Sequence, residues 1–330
     1  MDGTIRTAFA GFGSAVPEKT MSNFDFEKMI DTSDEWIYKR TGIRQRHICS
    51  ENDSTATLAA EAAKNALESA NISAQDLDLI IVATVTGEMP FPSTACFVQE
   101  ALGVHDIPAF DVAAACSGFV YGLTVADKFI ISGQYKKVLL VAADCLTKWT
   151  DWEDRGTCIL FGDGAGAVVL EPTTEPGRGV LHTEIHAEGS GWDLINIPGG
   201  GTRHITTKET IDEKLPLIKM KGRDVYKFAV DKMQSLIGSC MEKCNLTVDD
   251  VDKVVPHQVN IRIIESATQK NGFPIEKVYV NIDKMGNTSG ASIPLALDEA
   301  WKNGAIKKGD TLVFCAFGAG LTWAGATVTL

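Results

Sequence analysis

Short runs of valine, isoleucine and leucine, each about one strand long, alternate along this chain with longer stretches whose apolar residues fall at helical spacing. The runs include LIIVATV from Leu79, VLLVAADC from Val138, AGAVVL from Ala165, KVVPHQV from Lys253 and TLVFCAFG from Thr311. Strands that are apolar along their whole length are covered on both faces, so the pattern predicts an α/β fold with helices packed on buried sheets. TATLAAEAAKNALESA (55–70) and DVYKFAVDKMQSLIGSCMEKC (224–244) read as helices. So does 117–133, where Phe119, Val120, Leu123, Ala126 and Ile130 fall on one face.

The elements repeat. NISAQDLDLIIVATV from Asn71 has a counterpart in NLTVDDVDKVVPHQV from Asn245, offset by 174, and each follows one of the helical stretches. FDVAAACSGFVYGL then matches VNIDKMGNTSGASIPLAL, VLLVAADC matches TLVFCAFG, and AGAVVL matches AGATVTL, in the same order. The offset stays near 172 to 174 for the first three matches and falls to about 159 for the last, which marks LTKWTDWEDRGTCIL (146–160) as an insertion in the first half. A duplicated α/β unit with a pseudo-twofold axis follows, its halves 1–172 and 173–330. The glycines of FGDGAGAVVLEP lead into a strand and not into a helix, so the phosphate-cradling geometry of a dinucleotide site is missing and close backbone packing explains them.

Composition narrows the partners. With 43 acidic against 31 basic residues the net charge is −12, and a nucleic-acid partner would need a cationic footprint instead. No apolar run reaches the roughly 18 to 20 residues of a membrane span, and the start has no basic region followed by an apolar one, so a cytoplasmic protein is expected. The eight cysteines form no C-x-x-C pair, and several lie inside apolar runs, as buried thiols in a reducing compartment would.

One thiol stands apart. Cys116 ends a strand-like segment and immediately precedes the helix at 117–133, where unpaired N–H groups and the helix dipole favour a thiolate. In the matched half, Asn287 of MGNTSGASIPLAL falls close to the position of Cys116, and His257 follows a short strand at the equivalent of 84–87. A pseudo-twofold would bring all three to the centre, whereas the other five histidines need no special role.

Taken together, DVAAACSGF, VPHQVNIR, GNTSGAS, FGDGAGAVVL, AFGAGLTWAGA and DEWIYKRTGIRQRH resemble the β-ketoacyl-acyl carrier protein synthase III family of thiolase-like condensing enzymes, over the whole chain and in order. The resemblance implies a layered α-β-α-β-α fold and a cytosolic homodimer. It implies condensation of an acyl-CoA primer with malonyl-acyl carrier protein, with loss of carbon dioxide and with no metal or other cofactor. Cys116 would carry the acyl group, His257 and Asn287 would donate to the enolate oxygen, and the backbone N–H groups of Cys116 and Ala319 would form a second oxyanion hole. Trp36 and Arg155 match the family's adenine sandwich, Arg40 its phosphate contact, and Asn260 its polar contact to pantetheine. Phe91 and Phe317 match the acyl pocket, Phe91 reaching a partner subunit's pocket.

Lys219, Lys221, Arg223 and Lys227 cluster in IKMKGRDVYK, and Arg262 follows His257; a solvated helix face or a dock for an acidic carrier protein both fit. Lys227, Arg262 and Arg223 match the family's docking positions. The Cys-His-Asn set separates the chain from Cys-His-His elongating synthases and Cys-His-Cys thiolases, but plant-type polyketide synthases share it. Cysteine peptidases use the same three residue types without this repeat. A related acyltransferase, a condensing enzyme of secondary metabolism and a non-catalytic carrier-binding module stay open. Primer length and the role of the long polar segment 199–217 are not set by the sequence.

Overall fold

A computed structural model describes residues 4–330. In chain order its principal elements are strand β1 (Arg6–Ala15), helices α1 (Asp34–Thr41) and α2 (Thr55–Ala70), strands β2 (Leu79–Ala83) and β3 (Ala109–Val112), and helix α3 (Gly118–Ile131). Strands β4 (Val138–Asp144), β5 (Gly164–Thr173) and β6 (Gly179–Ala187) follow, then helix α4 (Gly222–Lys243), strand β7 (Lys253–Pro256), helices α5 (Ile261–Lys270) and α6 (Ser292–Lys302), and strands β8 (Thr311–Gly318) and β9 (Thr322–Thr329). The three helices expected from the spacing of apolar residues are α2, α4 and α3.

Two sheets repeat one topology. The first has the order β3-β2-β4-β5-β1, parallel from β3 to β4 and antiparallel beyond; the second has the order β7-β8-β9-β6, with β7 parallel to β8 and the rest antiparallel. The counterpart of β3 in the second sheet shrinks to a single bridge between Val254 and Val278. Alternate residues of β2 explain the layering. Leu79 and Ile81 join α3, α6 and the second sheet in one core, whereas Ile80 and Val82 face the alanine-rich side of α2 in another. On the far side of the second sheet, Val254, Val313 and Cys315 pack under α4 and α5. The order is therefore helices, sheet, the central pair α3 and α6, sheet, helices.

The glycine-rich entry to β5 serves packing. A Cβ on Gly166 would lie 2.7 Å from the Leu295 backbone nitrogen, so the absent side chain is what lets α6 approach the sheet. Between β4 and β5 the chain makes the insertion read from the repeat, while β8 and β9 are joined through 319–321 alone. The segment between β6 and α4 carries a short ribbon, Ile195–Asn196 antiparallel to Lys219–Met220, and Lys214 ties it to the insertion through an ion pair with Asp151 at 3.1 Å. Among the described residues, no helix is long and apolar enough to cross a membrane.

Candidate active site

The two central helices each begin with a one-turn 3-10 segment, Ala115–Ser117 before α3 and Ser289–Ala291 before α6, and these turns pack on each other. Their first residues correspond at the repeat offset (289 − 115 = 174), and both have left-handed backbone, with φ of 46° at Ala115 and 53° at Ser289. On this superposition Cys116 corresponds to Gly290, and Asn287 to Ala113. Asn287 therefore precedes the turn while Cys116 lies within it, so the two are not strict equivalents even though they meet.

They meet in a cavity of about 250 Å3 lined by Cys116, His257, Asn287, Phe317 and Ala319, with walls from Val85, Leu146, Leu160, Phe161, Ile197, Ile218, Met220 and Val225. Its roof is the inserted segment and the ribbon that Lys214 ties to it. Gly318 leaves room at the floor: a Cβ there would come 2.7 Å from the Cys116 nitrogen.

His257, the residue after β7, is fully buried. Its Nδ1 lies 2.7 Å from the Ser292 Oγ, and the Gln258 N–H donates to that same oxygen at 3.3 Å. With one lone pair engaged by Gln258, that hydroxyl is assigned as the donor to Nδ1, which makes Nδ1 the acceptor and puts the imidazole proton on Nε2. Nε2 is buried without a protein partner, a free donor on a residue that lines the cavity. Desolvation pushes the histidine pKa down to about 3, which keeps the ring neutral. The Phe317 ring meets it edge-on, 5.8 Å away. Asn287 is oriented by the same logic: its Oδ1 accepts from the Ser289 N–H at 2.9 Å, which leaves the NH2 group as its free end.

Cys116 does not enjoy the depressed pKa that a helix N-terminus alone would give. Burial pushes the thiol up to about 12, and the nearby Asp144 carboxylate adds to the rise while Ser289 opposes it. At a half-buried residue under a narrow cavity, lost hydration outweighs the dipole.

Trp36 has the Arg40 guanidinium 4.4 Å and the Arg155 guanidinium 4.9 Å from its ring centre, and Arg155 also donates to the Asp31 carbonyl at 2.9 Å. A stacked adenine needs about 7 Å between its two neighbours, twice a van der Waals spacing, so the slot between Trp36 and Arg155 is closed in this structure. Asn260 caps α5, its Oδ1 accepting from the Arg262 N–H and its Nδ2 donating to the Arg40 carbonyl. It does not line the cavity, and one amide hydrogen remains for a ligand. Phe91 is 83% exposed and outside this chain's cavity, whereas Phe317 lines it. Arg223 and Lys227 on α4 and Arg262 on α5 are exposed, and among the described residues none of them makes an ion pair. Val225 of α4 and Val259, just before α5, line the cavity, so these cations flank its entrance.

Sequence reading missed Ser292, Ser289 and the roof residues. GNTSGAS contains both serines, and hydroxyls that enter a helix beside an unpaired histidine were the available signal.

Models of 3-oxoacyl-[acyl-carrier-protein] synthase III match residues 110–189, and models of its C-terminal part match residues 241–330. The chain is 50% identical over 324 residues to β-ketoacyl-[acyl-carrier-protein] synthase III of Caldanaerobacter subterraneus subsp. tengcongensis, covering 98% of both chains. It belongs to this family. The synthase III of Clostridioides difficile is 49% identical over 323 residues, again with 98% of each chain covered. The crystal structure of 3-oxoacyl-[acyl-carrier-protein] synthase III from Aquifex aeolicus superposes with a TM-score of 0.90 at 46% identity, over 98% of this chain and 100% of that one.

The tautomer can be read directly. Nitrogen NMR of the histidines is expected to show His257 neutral with its proton on Nε2 down to pH 5, and Ser292→Ala to mix the two tautomers. An imidazolium at pH 6 in the folded protein would refute the assignment. Because the unfolded histidine takes up its proton near 6.5 and the folded one only near 3, this group makes stability fall as pH drops through that window.

Proposed function

We propose that the protein condenses a short acyl-CoA primer with malonyl-acyl carrier protein, releasing carbon dioxide, through an acyl-Cys116 intermediate, and so initiates fatty-acid synthesis in the cytoplasm. The observation that carries this reading is one apolar cavity holding a thiol and two oriented donors, with no carboxylate or lysine among its lining residues. In the first half-reaction the Cys116 sulfur attacks the primer thioester, the bond from carbonyl carbon to the CoA sulfur breaks, and the acyl group stays on the protein. The N–H groups of Cys116 and Ala319 are the donors for the oxygen that becomes negative.

The second half-reaction needs no strong base. Apolar walls disfavour the malonyl carboxylate, and breaking its bond to the thioester's α-carbon supplies the electron pair. Charge then moves to the thioester oxygen, where the His257 Nε2–H and the Asn287 NH2 receive it. The enolate carbon attacks the acyl-Cys116 carbonyl and the sulfur leaves. A neutral histidine suits this step, because it donates without taking the proton that would quench the enolate.

Arg40 and Trp36 receive the nucleotide once Arg155 swings off the indole, with Asn260 beside pantetheine. Arg223, Lys227 and Arg262 steer the acidic carrier to the mouth. Strand β3 lies at the edge of its sheet, half-buried along its length, and Phe91, Val85 and Met89 are exposed; a second copy of the chain covering them makes a homodimer. Membranes and nucleic acid have no part in this reading.

A short acyl-CoA is expected to add one acyl mass to Cys116 and to no other cysteine. His257→Ala and Asn287→Ala should each lower malonyl decarboxylation by about 10²–10³-fold while sparing acylation of Cys116. Equal loss of both half-reactions would overturn the roles, and acylation without malonyl carbon in the product would favour a plain acyltransferase. Lys227→Glu with Arg262→Glu should raise the KM for malonyl-carrier protein and flatten its salt dependence, with little change for acyl-CoA; an unchanged carrier KM returns these charges to a solvated face. Sedimentation at micromolar concentration should give twice the chain mass, and a monomer there would refute the dimer.

A further inference from the structure

The cavity raises a question that its donors leave unanswered: where the Cys116 proton goes. Burial holds the thiol protonated. His257 is not available to take the proton, since its Nδ1 already accepts from Ser292 and its Nε2 carries the hydrogen.

Below the cavity floor, at the end of β4, lies Asp144, only 1% exposed. Its Oδ1 accepts four hydrogen bonds from the loop after β2: from the Thr84 hydroxyl at 3.0 Å, the Val85 N–H at 2.9 Å, and the Thr86 N–H and hydroxyl at 3.1 and 2.9 Å. Its Oδ2 is buried with no partner. Burial holds this carboxyl above the usual range. The turn that begins with Ser289 packs on β4, the strand that ends in Asp144, and the Ser289 Oγ accepts from the Cys116 thiol at 3.7 Å. The Ser289 hydroxyl is close enough to Asp144 to favour its charged form, although the two are not aligned into a regular bond. Ser289 is held in left-handed backbone, uncommon for a residue with a side chain, by the bond from its N–H to Asn287. The titratable groups facing the sulfur are thus Asp144, from β4, and His257, just after β7; the other neighbouring elements contribute Ser289, Phe317 and the glycine backbone at 318.

We propose that Asp144 is the proton acceptor for Cys116, with the Ser289 hydroxyl as carrier between them. The proposal rests on the acyl-Cys116 reading. The Cys116 S–H proton passes to Ser289 Oγ as the Ser289 O–H proton passes to Asp144 Oδ2, so the buried pair holds one proton and one negative charge before and after. Two buried acids cannot both ionise cheaply, but moving a single charge from carboxylate to sulfur brings no new charge into the interior. The thiolate then attacks the acyl-CoA carbonyl, and CoA leaves as a thiolate that takes its proton from solvent. Asp144 stays neutral while the malonyl thioester loses carbon dioxide, so no carboxylate under the floor opposes the enolate. When the enolate carbon displaces the Cys116 thiolate, the proton returns from Asp144 through Ser289. The one proton consumed per turnover is the one that CoA takes.

The test needs no acyl substrate. The rate of Cys116 alkylation by iodoacetamide, followed from pH 6 to 9 in the whole protein, reads thiolate availability. A shared proton makes the thiolate fraction independent of pH, so the wild type should give a plateau. Ser289→Ala, and Asp144→Asn, which keeps Oδ1 for its four donors, should each give a line rising tenfold per pH unit and slower alkylation at pH 7. Acylation by acetyl-CoA at pH 7 should fall by about 10²-fold in both variants. A wild-type rate that itself rises tenfold per unit overturns the relay. So does faster alkylation in Asp144→Asn, which would mean that the carboxylate only repels the thiolate. Failure of wild-type acetyl-CoA to label Cys116 would sink the condensing reading instead, and the alkylation profile would still be legible on its own.

Discussion

Everything at the centre of this molecule depends on one close contact, that between the two 3-10 turns that start α3 and α6. Duplication supplies each turn with a strand behind and a helix ahead, and both turns begin with a residue in left-handed backbone. Because the turns pack on each other across the pseudo-twofold, a thiol from one half and an amide from the other share a single cavity. The contact tolerates no extra atoms. Gly318, at the end of β8, sits where a side chain would strike the Cys116 nitrogen. The same geometry that buries the turns therefore also exposes the sulfur to the cavity.

Burial then sorts the ionisable groups by one rule. Losing water disfavours whichever form is charged, so the thiol and the Asp144 carboxyl move up and the His257 imidazole moves down. The thiol and the imidazole are both kept neutral by this desolvation, which suits chemistry in which charge is made transiently on a substrate oxygen. Fixed donors in such a place act without reorganising. Ser292 and the Ser289 N–H do the fixing: one sets which imidazole nitrogen carries the proton, the other which end of the Asn287 amide faces inward.

Much of this was legible in the sequence because it is written in spacing. The repeat offset predicted two sheets of one topology, and the apolar periodicity located α2, α3 and α4. Placing Cys116, His257 and Asn287 at related junctions predicted that they would meet, and all three line one cavity. What spacing cannot show is the competition between forces at a point. A helix N-terminus argued for a thiolate at Cys116, but the roof of the cavity, assembled from 145–163 and the ribbon after β6, is distant in sequence and reverses the sign. The stacking of Arg155 on Trp36 is likewise a choice among rotamers, and the capping role of Asn260 depends on where α5 begins. Asp144 looked like the polar end of an apolar strand, and nothing in VLLVAADC distinguishes a carboxylate that reaches the sulfur through a serine.

Charge divides the outside from the inside. The chain carries a net −12, yet Arg40, Arg223, Lys227 and Arg262 stand around the entrance, unpaired among the described residues. A uniformly acidic surface would repel both a nucleotide and an acidic carrier, and a uniformly basic one would attract any polyanion. A small cationic rim on an acidic body draws anions to one place only. The cavity behind the rim has apolar walls, so an anion attracted to the mouth gains nothing by going deeper unless it can leave its charge outside. A phosphopantetheine arm does that, its phosphate staying at the rim while the uncharged chain continues inward. On the proposed reading, rim and cavity suit the acyl-CoA primer, whose charge is confined to the end that stays outside, whereas a malonyl carboxylate that follows the arm inward meets apolar walls that favour its loss as carbon dioxide.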